Sequence, residues 1–200
     1  AYQVLDDSWQ KTIANDLETI QSEGHDAVRK VDANMVVKKK SGKDVEVQDG
    51  WAGHILPFDL VQEKLLSADL AEIGTYESRL TEISSEIADI LENLDEDDKN
   101  STDAVSEDGD SFVATELKKA VKSIGRDPET DFDRALVNAQ RLFDEEREVK
   151  KNVKNLRSAL DEKTRAVIEG LSDEQADDLL AAKWVEPLQH KLEELPQTAV

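Results

Sequence analysis

Three histidines, His25, His54 and His190, are the side chains of this 200-residue chain best suited to move protons or hold a metal near neutral pH. None belongs to a His-Glu-x-x-His or Glu-x-x-His pair, which on a helix would set two ligands one turn apart on a single face. Each is therefore read as structural or solvated. Ser41-Gly42-Lys43-Asp44 contains a Gly-Lys pair, but a phosphate-cradling loop also needs an upstream glycine and a hydroxyl after the lysine. Asp97-Asp98 and Asp177-Asp178 could share a proton or hold a divalent cation. The surrounding "DEDDKNSTDAVSEDGD", however, lacks the spacing, central glycine and terminal glutamate of an EF-hand loop. No catalytic residue, cofactor site or metal site is expected in the chain.

Two other groups of residues stand out. Arg29, Lys30, Lys38, Lys39, Lys40 and Lys43 gather positive charge in a chain of 46 acidic and 25 basic residues, formal net charge -21. Lysines on an exposed strand edge block pairing with other chains; the second reading of Lys38, Lys39, Lys40 and Lys43 is phosphate contact in a larger assembly. The other group lies in "LSDEQADDLLAAKWVEPLQHKLEEL". There Leu180, Trp184, Leu188, Leu192 and Leu195 recur at fours and threes on one helical face, with Pro187 inside the register. Proline removes a helical hydrogen bond and kinks the helix. That face either folds back on a local core or meets a partner. Trp184, Leu188, Leu192 and Leu195 are the expected partner-binding residues, with Trp184 also buried locally.

The elements that must position these residues follow from periodicity. Trp9, Ile13, Leu17 and Ile20 share a helical face that Gly24 ends. Val36, Val37, Val45 and Val47 flank a Ser-Gly turn and predict a β-hairpin. Asp59 with Gln62 is a candidate capping box after Pro57. A heptad of Ile73, Leu80, Ile87 and Leu94, with Tyr76, Ile83 and Ile90 three residues after its first members, predicts a coiled-coil seam. The polar run 95–111 is expected to be a mobile loop. A helix starting at Ser111 and closed by Gly125 follows, and an Asp127-Pro128 start then leads into a helix reaching Gly170. The seam of that helix is Ala139, Leu142, Val149, Val153, Leu156, Leu160 and Val167.

The predicted fold class is mainly α. It comprises a small helix plus β-hairpin region over 1–58, a long antiparallel, coiled-coil-like helical hairpin over 59–170, and a kinked C-terminal helix over 171–200. An acidic chain repels phosphate backbones and anionic membranes over most of its surface. No apolar run approaches the ~20 residues that span a bilayer, so no membrane partner is expected. There is no cysteine, which removes disulfides and thiolate metal sites and favours a cytoplasmic location. The chain opens at Ala1 without an initiator methionine and is expected to be a fragment of a longer polypeptide.

The order of "VLDDSWQKTIANDLETIQSEG", a lysine-rich hairpin, "GWAGHILPFDLV", a Leu/Ile-rich coiled-coil helix, an acidic insertion, a second long helix and "LSDEQADDLLAAKWVEPL" resembles the C-terminal region of the modification subunit of type I restriction-modification systems. The resemblance runs from about residue 4 to about residue 195. "GWAGHILPFDLV" and "LSDEQADDLLAAKWVEPL" are its most specific parts. It implies a parent that methylates adenine N6 in DNA with S-adenosylmethionine, through a glycine-containing cofactor motif and an Asn/Asp-Pro-Pro-Tyr/Phe motif. Neither motif stands in this chain, which has no Pro-Pro pair. By resemblance the chain is a noncatalytic assembly module, with no cofactor of its own. It would pack against the specificity subunit, through it meet the restriction subunit, and reach DNA mainly through the parent complex. The alternative is a free-standing acidic coiled-coil adaptor or chaperone-like protein whose acidic loop takes basic clients.

Overall fold

In a computed structural model the described residues are Asp6, 9–40 and 42–193. They are mostly helical, with one two-stranded antiparallel sheet. A wide turn over Trp9–Ile13 leads into α1 (Ala14–Glu23), which Gly24 ends at φ 86°. A 3-10 turn, His25–Arg29, then enters the hairpin of β1 (Val31–Lys40) and β2 (Lys43–Gly53). Helices α2 (Phe58–Leu65), α3 (Ser67–Glu92), α4 (Glu96–Asn100), α5 (Ala114–Ile124), α6 (Asp131–Glu169) and α7 (Asp173–Glu193) follow.

The chain divides into two compact units, Ala1–Ala71 with Arg157–Val200, and Glu72–Leu156. In the first unit, Ala27, Val28, Ile55, Leu56, Val61, Ile168, Leu171, Ala176, Leu179 and Leu180 are buried together. Gly53 makes this core possible. A Cβ there would stand 1.8 Å from the Leu56 carbonyl oxygen, so only glycine lets the chain turn back and insert Ile55 and Leu56. In the second unit one cluster joins Leu91, Leu94, Ala104, Val105, Phe112, Leu117, Leu136 and Ala139. Another buries Ile83 with Leu142 and Val149, and Tyr76, Leu80, Ile87, Ile90 and Val153 pack against it.

Several local expectations are corrected. Residues 95–111 are not without apolar anchors: they contain α4, and Ala104 and Val105 are buried, Val105 bridging to Phe112 across a tight loop. The single Ala-Val pair lies in an acidic run with no repeat, so periodicity missed it. Asp59 and Gln62 form no capping box. Asp59 Oδ1 accepts from the adjacent Leu60 N–H, and the Gln62 amide instead donates to Thr164 at 3.1 Å. The long helix starts at Asp131, after Thr130 and Asp133 cap each other: the Thr130 hydroxyl accepts from Asp133 N–H at 3.0 Å, and the Asp133 carboxylate from Thr130 N–H at 3.1 Å. Ser172 and Gln175 form a capping box at the start of α7, with bonds of 3.2 and 3.0 Å. Near its C-terminus α6 buries Thr164 and Ile168, while Val167 is only half-buried. Thr164 is accommodated because its hydroxyl donates to the Leu160 carbonyl at 2.7 Å.

Candidate partner-binding surface

Helix α7 is fastened to the first unit by polar contacts whose members lie far apart in sequence. The Trp184 indole N–H donates to Asp16 Oδ2 at 2.8 Å, and the ring packs half-buried against the core. Lys183 donates to the same oxygen at 2.6 Å and to the Ile55 carbonyl at 2.7 Å. Both charged side chains are largely covered, Lys183 at 16% exposure and Asp16 at 13%. At the start of α7, Arg29 donates to the Leu171 carbonyl at 2.6 Å and also binds Asp26 and Asp173. His25 meets Asp177 at 2.9 Å. Arg29 and Lys30, counted with the hairpin cations in the sequence, are thus engaged locally, Lys30 with Glu23 at 2.5 Å.

The side of α7 one step round from Trp184 is less covered. Val185 is 45% exposed, and Leu65 at the end of α2 is 41% exposed. Lys64 and Glu186, their sequence neighbours, form an ion pair at 2.6 Å that joins α2 to α7. Leu188 is half-buried. Helix α7 continues past Pro187 to Glu193; the Leu192 side chain and the whole of Leu195 lie outside the described residues. The apolar surface reached by α7 therefore includes Val185 and Leu65. The fours-and-threes stripe did not select these two, because Val185 is one step off the face of Trp184 and Leu65 belongs to another helix.

At the hairpin base, Trp51 donates its indole N–H to Glu162 at 3.1 Å and lies under Arg165, whose guanidinium is 3.8 Å from the ring centre. His54 Nδ1 faces Asp32 at 2.7 Å, while Nε2 stands 3.4 Å from Glu23 without hydrogen-bond geometry. The hydrogen bond to Asp32 raises the His54 pKa above the usual histidine value, with support from the charges of Asp32 and Glu23 and against partial burial. Lys38 meets Asp49 at 3.1 Å. Lys39, Lys40 and Lys43 are exposed near the hairpin tip.

In the second unit, Arg79 is clamped by Glu145 at 2.7 Å, Glu86 at 2.7 Å and Glu82 at 3.1 Å, with Glu145 also bound to Arg141. These hydrogen bonds, that to Glu145 first, raise the Arg79 pKa further above its already high value. Among the described residues no group of three or more His, Asp or Glu side chains is arranged to hold a metal, and no helix is long and apolar enough to cross a membrane. Comparison with protein-family models, with curated proteins and with solved structures finds no match to this chain.

Proposed function

We propose that this chain is a noncatalytic assembly module of a type I restriction-modification modification subunit, and that it docks on the specificity subunit. The observation that carries the reading is the division of labour on α7: Trp184 and Lys183 hold the helix to its own unit through Asp16, while Val185, and Leu65 at the end of α2, stay partly exposed. Leaving apolar surface wet forfeits roughly 25 cal/mol per Å², so a partner that covers this face gains stability. The ordered resemblance of segments names the partner. In this reading the packing of Ile83 against Leu142 and Val149 belongs to an antiparallel, coiled-coil-like hairpin. In this reading Pro187 bends the end of α7 so that Leu188 joins the docking face. The parent carries S-adenosylmethionine chemistry elsewhere in its sequence and reaches the restriction subunit through the specificity subunit. Such a complex works in the cytoplasm.

The test is a pull-down of the specificity subunit by the chain, with Leu65→Asp and Val185→Asp introduced together. Both positions are exposed, so circular dichroism and the melting curve should be unchanged while assembly weakens at least about tenfold, the effect of removing a small apolar contact set. Wild-type assembly at full strength in the double variant would sink the reading.

The adaptor reading draws on one observation, a recess of about 490 Å³ lined by Glu96, Asp103, Glu107 and Asp108 among others. Binding of a basic peptide there with steep salt dependence would favour it.

A further inference from the structure

Beyond its bulge the hairpin is covered on neither side. The register slips between Ala33 and Met35, where the Asn34 amide donates to the Asp49 carbonyl at 3.1 Å, and pairing then runs outward to Lys40 opposite Lys43. Among the described residues of this outer half only Val36 and Val47, a directly opposed pair, are half-buried; Met35 is 54% and Val37 62% exposed.

The register also sorts the charges. Opposed residues share a face and successive residues alternate. One face therefore carries Val36 with Val47, Lys38 with Val45, and Lys40 with Lys43. The other carries Met35 with Gln48, Val37 with Glu46, and Lys39 with Asp44. Outward of Asp49, which engages Lys38, the first face holds three lysines and no carboxylate. Both carboxylates of the outer half lie on the other face.

We propose that this outer half is an arm that contacts duplex DNA, with Lys40, Lys43 and Lys38, the last exchanging its partner Asp49, meeting phosphates from the face that carries no carboxylate outward of Asp49. Five residue steps from Met35 to Lys40 carry the tip about 17 Å beyond the bulge. That is about twice the screening length of ~8 Å at physiological ionic strength. The carboxylates at the hairpin base, Asp32, Glu23 and Glu162, are consequently screened from the tip, although they would repel a polyanion brought against the base itself. A two-stranded ribbon is also narrow enough to enter the major groove of B-DNA, ~12 Å wide. The lysines read no sequence there; they supply position and affinity. The choice of DNA over an acidic protein rests on the proposed function, whereas the charge sorting does not.

The experiment is fluorescence anisotropy of a labelled duplex of about 20 base pairs with the full chain, over ~50 to ~200 mM salt. Three phosphate contacts give a slope near -2.7 in log K against log salt, a weakening of about 40-fold across that range. Lys38→Gln, Lys40→Gln and Lys43→Gln together should lower affinity at least about tenfold at ~50 mM salt and remove most of that slope. Lys39→Gln, on the other face, should change affinity less than about twofold. Circular dichroism should be unchanged in both variants. The proposal is overturned if the wild-type chain does not bind, if the triple variant binds as well as wild type, or if polyglutamate of equal charge displaces the duplex. Pull-down of the specificity subunit does not depend on these lysines, so failure here leaves the assembly reading to its own test.

Discussion

At Asp16 a single carboxylate oxygen accepts from both the Lys183 ammonium and the Trp184 indole, one of several contacts that hold α7 on its unit. Truncating one member of a covered ion pair leaves the other charge without its counterion, which costs several kcal/mol in a dry setting and less where water still reaches it. Asp16→Ala should therefore lower stability by about 2–3 kcal/mol in urea unfolding. Asp16→Leu combined with Lys183→Met should recover part of the loss, because two apolar groups leave no buried charge behind while the Trp184 indole and the Ile55 carbonyl lose their partners. A single-mutant loss under about 0.5 kcal/mol would show that the pair holds nothing. His54 offers a second residue-scale check. Its pKa is raised in the folded chain, first by the hydrogen bond to Asp32, so its contribution is fully present below the unfolded value near 6.5 and is lost as pH rises through the folded value. Melting temperature measured from about pH 6 to about pH 8.5 should fall more steeply for the wild type than for His54→Gln, and parallel curves would refute the linkage. Glu23, whose pKa is lowered mainly by Lys30, acts in the opposite direction and at lower pH, so it does not confuse that window. The histidines and the Trp184 stripe were visible in the sequence. Asp16 and Lys183 were not, and Arg29 stood out only as one of the cations near the hairpin, because each works through a partner more than 120 residues away.

Among the elements, those with strong periodicity or a local cap were readable. The hairpin and the Gly24 and Gly125 helix ends are local chemistry within a few residues. What failed was set by tertiary context. Gln62 left its own helix end for Thr164, and the acidic run gained order from two small apolar residues whose burial depends on Phe112 and α5. Gly53 is the element-scale position most open to test. An added methyl would overlap the Leu56 carbonyl, and the neighbour that would have to move is backbone. Gly53→Ala should cost at least about 2 kcal/mol, within the range for overpacked sites, and should loosen the hairpin base while leaving the second unit's amide-exchange protection intact. Ser172→Ala should cost about 1 kcal/mol by removing the cap of α7. If Gly53→Ala melts like wild type, the turn from Gly53 to Leu56 is not what seats Ile55 and Leu56.

For the molecule as a whole, the excess of 46 acidic over 25 basic residues is the dominant long-range term. The ion pairs oppose it locally, Arg79 with its three glutamates being the densest among the described residues. Those pairs are short-range and mostly exposed, and exposed pairs contribute roughly 0–1 kcal/mol each. Self-repulsion from a net charge of -21 acts across the chain and falls as salt shortens the screening length from about 30 Å at 0.01 M to about 8 Å at 0.15 M. Repulsion should therefore lose more to salt than the pairs do. The melting temperature is expected to rise by a few degrees between ~0.01 and ~0.15 M sodium chloride, and Arg79→Met should lower it at both ends. Scanning calorimetry at the two concentrations decides the balance. A melting temperature that falls with added salt would mean that the paired charges, and not the unmatched ones, govern the stability of this chain.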